Sequence, residues 1–133
     1  MKLGIVSILT LGGLLYAAAG STHHSIDADF TPGAEITITA VVTEFRFINP
    51  HPYVKAREVG SGGEGKEWML LLDDRWEMVE AGFTRSTFQP GDVLVATGRP
   101  SRREPDNLYV VIMERQSDGF VYQDDDGEDV DDD

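Results

Sequence analysis

Cysteine is absent from all 133 residues, and that absence removes several functions at once. No disulfide can brace the fold, no thiolate can hold a metal, and no cysteine nucleophile or lipoprotein attachment is available. Stability must come from the apolar core, for which 41% hydrophobic residues are ample. Positive charge is scarce as well, with 11 Lys and Arg against 24 Asp and Glu and a formal charge of −13. A surface of that sign repels phosphate backbones, so nucleic acid is not an expected partner. Neither a Gly-x-Ser-x-Gly elbow nor a His-Glu-x-x-His helix occurs, which removes two common hydrolase signatures.

The one extended apolar run, Leu3 to Leu15, is too short to span a bilayer comfortably. It follows Lys2 and leads into Ala17-Ala18-Ala19-Gly20, the order of a signal peptide with small residues at its cut. The expected division is a signal peptide over 1–20, a leader over 21–33, a domain over 34–122 and a disordered acidic tail over 123–133. Export to the periplasm or the extracellular space follows, with no retained membrane span. Eight of the ten residues from Asp124 to Asp133 are acidic, and such a block repels itself and buries nothing. Without those eight and Lys2 the remaining charge is −6, still acidic.

Between the ends, the pattern predicts five strands and one short helix. Ala34 to Ile48 is rich in Ile, Val, Thr and Phe. Ile36, Ile38, Ala40 and Val42 share one face, whereas Phe45 and Phe47 have the opposite parity. That switch predicts a bulge or bend near Val41-Val42. Asn49-Pro50-His51-Pro52 breaks the run. A second strand over Tyr53–Val59 and a third over Glu67–Leu72 flank a glycine-rich hairpin loop, with Trp68, Leu70 and Leu72 on one face. A helix near Arg75–Ala81 has Asp73 or Asp74 as its cap, and Trp76, Val79 and Phe83 at helical spacing predict its buried face. Pro90-Gly91-Asp92 turns into a fourth strand, Val93–Thr97, and a fifth runs from Leu108 to Glu114. Three strands, a helix and two strands is the order of an OB-fold, so the expected class is a small all-β barrel.

These segments resemble a family of secreted bacterial proteins described only as a domain of unknown function. The likeness rests on His23-His24-Ser25, Thr43-Glu44-Phe45, Asn49-Pro50-His51, Trp68, Gly82-Phe83, Pro90-Gly91-Asp92 and Gly98-Arg99-Pro100. It spans about His23 to Tyr122 and implies export and an OB-like barrel, but no activity. Ile26 stands where that pattern often has an aromatic residue, and the acidic tail lies outside it.

The three histidines are the leading functional candidates. Imidazole without competing thiolates suits copper or a related divalent metal, giving His23, His24 and His51 as candidate ligands. If the mature chain begins at Ser21, its amine, two amides and the third-residue imidazole of His23 can wrap Cu(II) in a square plane. Alternatively, one leader histidine joins His51, helped by Glu44, Asp27 or the terminal amine; adjacent residues of a strand point apart, so His23 and His24 do not share an ion there. A plain structural turn at Asn49–Pro52 is the competing explanation. Asp73-Asp74 are better placed for capping than for catalysis, and the expected protein is a non-enzymatic binding module. The alternative is a protein-interaction or self-assembling subunit of an envelope assembly, engaging a partner through an edge strand or an aromatic face. Asn49, Phe45, Phe47 and Trp68 are the residues assigned to such binding, although the spacing of Trp68 and Trp76 points to burial for both.

Overall fold

In a computed structural model of the chain, residues 29–30, 33–60 and 62–124 are described. Residues 1–20, expected as a signal peptide, together with His23, His24, Asp27 and the residues after Asp124, lie outside them. The elements are β1 (Ile36–Arg46), β2 (Tyr53–Glu58), β3 (Glu67–Leu71), α1 (Arg75–Glu80), β4 (Val93–Pro100), β5 (Asn107–Arg115) and β6 (Val121–Gln123). Sheet order is β3-β2-β1-β4-β5-β6, and β3 also pairs with β5. That extra pairing is parallel, whereas the others are antiparallel. It closes β1 to β5 into a barrel with OB-like connectivity and the helix between β3 and β4. The expected all-β barrel is the fold, with β6 added.

The parity switch in β1 has its predicted cause. Ile38, Ala40 and Val42 point into the core, and the register against β2 then slips between Val42 and Glu44. Val42 is pinned at that point: its amide donates to the Asp92 carbonyl and its carbonyl accepts from the Gly91 amide, both at 2.8 Å. One extra residue reverses which side chains face inward, and Phe45 and Phe47 thereby reach the core. Phe45 packs on Phe47 and Phe88 at 5.8 and 5.2 Å between ring centres, and Phe83, Phe120 and Tyr122 extend the aromatic cluster.

Two expectations need correction. Trp76 is 68% exposed and Val79 44%, while the helix buries Met78. A six-residue helix is too short for its periodicity to fix a face. Its start is marked by the Asp74 cap, whose carboxylate accepts from the Trp76 amide at 2.7 Å. The second correction concerns the boundary at Tyr122. The sixth strand takes in Gln123, and Asp124 is 5% exposed with its amide donating to the Val111 carbonyl at 2.9 Å. The described structure therefore continues two residues past Tyr122, the second of them the first residue of the acidic run. A staple at the β5–β6 turn supports this strand: Arg115 donates to both oxygens of Asp118 at 2.9 Å, lies over the Phe120 ring and also reaches Asp92 and the Thr87 carbonyl.

Gly98 lies where the β4–β5 register shifts, and a Cβ there would sit 2.2 Å from the Tyr109 carbonyl oxygen. Backbone cannot yield as a flexible side chain can. Gly98→Ala is expected to destabilise the fold by about 1–3 kcal/mol, read as a lower urea midpoint at unchanged slope; an unchanged midpoint would show that the seam has slack.

Candidate functional site

The β1–β2 turn is fastened at both ends to the segment after β3. The Arg75 amide donates to the Pro50 carbonyl and the Leu72 amide to the Pro52 carbonyl, each at 3.0 Å. His51 is bracketed between these bonds, opposite Asp73-Asp74, and the flanking prolines limit its backbone further. Its Nδ1 is buried and, among the described residues, has no hydrogen-bond partner. A buried ring nitrogen without a partner is uncommon, because desolvating it without compensation is unfavourable. Arg75 closes the other side of the turn, with its guanidinium 4.8 Å from the Phe47 ring centre and its Nε donating to the Phe47 carbonyl at 3.4 Å.

Next to this turn is a polar seam where β3, β5 and β6 meet. The Tyr122 hydroxyl accepts from the Asp73 amide at 2.9 Å. Tyr109, opposite Leu71 in the parallel ladder, is 4% exposed. Its hydroxyl faces the Asp124 carboxylate without reaching full hydrogen-bond geometry. Burial pushes the Tyr109 phenol well above its ordinary value, and the negative charge of Asp124 pushes the same way, with smaller contributions from Tyr122 and Asp73. The end of the leader covers this seam. Phe30 bridges to Ser101 and its ring lies 5.7 Å from that of Tyr109. The Asp29 carbonyl accepts from the Arg102 amide at 2.7 Å, and the Asp29 carboxylate pairs with Arg103 at 3.2 Å.

Among the sequence-predicted residues, His51 is therefore at the barrel's end, and Asn49 is exposed on the same turn. His23 and His24 lie outside the described residues. Glu44 is occupied by Arg46 at 2.6 Å and Lys55 at 3.7 Å, which leaves it poorly placed to complete a metal shell. Among the described residues no group of three His, Cys, Asp or Glu is arranged to hold a metal ion. Phe47 and Trp68 are buried and Phe45 packs against the core, so these rings form no exposed stacking platform. Trp68 donates from Nε1 to Glu58 at 2.7 Å and carries the Lys66 ammonium 3.6 Å above its ring centre. The β2–β3 face, where OB folds often hold extended ligands, has a groove of about 500 Å³ lined by Lys55, Glu67 and Asp106 among others. Cross-strand ion pairs crowd that face, Arg57 with Glu67 at 3.3 Å and Lys66 with Asp106 at 3.8 Å. Sequence reasoning missed Tyr109, Tyr122 and Asp124. The Asp118-Gly119 pair, a hairpin signal before the alternating Phe120 and Tyr122, was the available clue.

A family model described as a family of unknown function, DUF6152, matches residues 13–107, well over half of the chain. The chain belongs to this family. The match includes both histidine clusters and every element from β1 to β4, and it ends on the first residue of β5. No curated protein and no solved structure matches the chain. Among the described residues no helix is long and apolar enough to cross a membrane.

The seam has a pH signature. The folded Tyr109 phenol resists ionisation, whereas the unfolded one ionises near pH 10. Its stabilising contribution is fully present below that pH and is lost as pH rises above it. Melting temperatures should fall above about pH 10, and Tyr109→Phe should reduce that fall. An equal alkaline fall in the phenylalanine variant would place its origin elsewhere.

Proposed function

We propose that the protein is an exported, non-enzymatic binding module that holds copper or a related divalent cation between His51 and a histidine of the leader. The observation that carries this reading is the Nδ1 of His51, buried and without a hydrogen-bond partner among the described residues, on a turn fastened at both ends. A metal ion is a natural partner for such a nitrogen, since neutral imidazole binds first-row divalent cations through either ring nitrogen. The anchoring of Asp29 and Phe30 also supports it. His24 precedes Asp29 by five residues, a reach of at most about 18 Å. Phe30 contacts Tyr109, which neighbours Leu71 across about 4.8 Å of sheet, and Leu72 is bonded to Pro52. The end of the leader is thus linked to the His51 turn through Tyr109, Leu71 and Leu72. Export rests on the signal-like order of Lys2, the apolar run and Ala17-Ala18-Ala19-Gly20.

The competing reading, attachment to another protein, loses support for its aromatic surface, because those rings are interior. It retains an edge strand.

Titrating the processed protein with Cu(II) tests the metal reading. A visible d–d band is expected, with affinity reduced roughly tenfold or more in His51→Ala. His23→Ala and His24→Ala identify the leader ligand. A band that His23→Ala abolishes and His51→Ala leaves intact would mean a site at the chain's amine alone. No band, or no affinity beyond that of a buffer amine, would reject metal binding altogether.

A further inference from the structure

Strand β6 is the outer strand of the sheet and, among the described residues, has a neighbour on one side only. The direction of its amides follows from two bonds. The Phe120 carbonyl accepts from the Arg115 amide and the Asp124 amide donates to the Val111 carbonyl. Backbone groups of an antiparallel strand alternate in direction, so residues 120, 122 and 124 face β5, while Val121 and Gln123 direct their N–H and C=O groups outward. Among the described residues, no hydrogen bond satisfies those outward groups. Along this side runs a cleft of about 310 Å³, bounded by Gly82, Phe83 and Thr87 opposite Phe120 to Gln123. Val121 is 50% exposed, and Ile112, whose strand partner is Gln123, is 40% exposed. Native proteins usually blunt such an edge with Lys, Pro or a covering segment; β6 contains none of these residues.

We infer that the outer edge of β6 accepts an extended, basic segment of another protein as an added strand. The reading rests on the interaction alternative above and makes its partner specific. Outward backbone groups supply the ladder, and the cleft takes alternate apolar side chains. Charge selects the occupant. The sequence carries seven acidic residues within 125–133, starting two positions after the strand ends, and that run of negative charge favours an occupant rich in Lys and Arg. A second copy of this chain would bring a like-charged tail and a body of the same sign to that edge, which disfavours self-pairing.

Fluorescence polarisation on the full chain, with a labelled Lys-Val alternating octapeptide as probe, tests the inference. Saturable binding that weakens with salt is expected, together with far weaker binding of the Glu-Val counterpart. Val121→Pro removes one outward donor and no bond to β5, and it should weaken the probe roughly three- to tenfold. Gln123→Pro provides the same test if the first variant melts early. Replacing every acid of residues 125–133 by its amide should weaken binding and flatten its salt dependence. Binding that depends on the tail but ignores both prolines would be plain electrostatics and would overturn the inference. Proline-sensitive binding of a neutral Ser-Val peptide as tight as the basic one would overturn the choice of partner while leaving an edge-strand interaction standing. A dimer dispersed by Val121→Pro would assign the edge to a second copy, and absence of any peptide binding would remove strand addition.

Discussion

Strand β5 has to satisfy two neighbours along a single edge, and the rest of the structure is arranged around that requirement. β3 takes Asn107 to Tyr109 in parallel register, and β6 takes Ile112 to Glu114 antiparallel. Without the first pairing the sheet stays open and the core formed by Leu70, Leu94 and Leu108 faces solvent on one side. Without the second, the upper half of β5 is an exposed edge. The division is possible because β4, on the opposite side of β5, bends at Gly98, where backbone approaches too closely for any side chain. Tyr122 then links the two halves by accepting the Asp73 amide just beyond β3.

Burial at this seam explains why its polar groups behave unlike surface ones. Leu108, Tyr109 and Val110 are all buried, although successive strand residues point to opposite faces. Leu108 and Val110 fill the barrel, and Tyr109 is covered from outside by Phe30. A carboxylate buried beside a phenol is costly unless its surroundings hold it, and Asp124 sits at the end of a strand fixed by the Arg115 staple. Exposed ion pairs on the β2–β3 face contribute little by comparison, each about 0–1 kcal/mol. The physical weight of the structure lies at the seam and not on the charged face.

Much of the fold was legible because strand parity is a strong signal when one face is buried. The reversal between Val42 and Phe45 predicted the bulge, and Trp68, Leu70 and Leu72 predicted the inner face of β3. Trp76 misled because two apolar residues three apart on a six-residue helix define no face, and it is Met78 that the helix buries. β6 was hidden for a different reason: Val121 and Tyr122 fell inside the expected domain, but three residues ending at an acidic run show too little alternation to read as a strand, and only pairing with β5 makes them one. Of the candidate site, His51 was legible from its prolines, since residues between two prolines have few conformations. The seam residues Tyr109, Tyr122 and Asp124 were not, because they come together only when the barrel closes.

The family match ends at Asn107, so the His51 turn lies within the matched part while Tyr109, Tyr122 and Asp124 lie beyond it. The two parts are nevertheless in mechanical contact. Asp73 shares a segment with the residues that fasten the turn, and its amide is held by Tyr122 of β6. A partner strand on the outer edge of β6 would stiffen Tyr122, then the Asp73 segment, then the turn that carries His51. A metal ion fixing His51 would stiffen the same chain in the reverse direction. Because each element in that path is tied by a specific hydrogen bond, the two proposed interactions would act on one shared piece of structure, and any effect of the first on the second's affinity must be returned in equal measure.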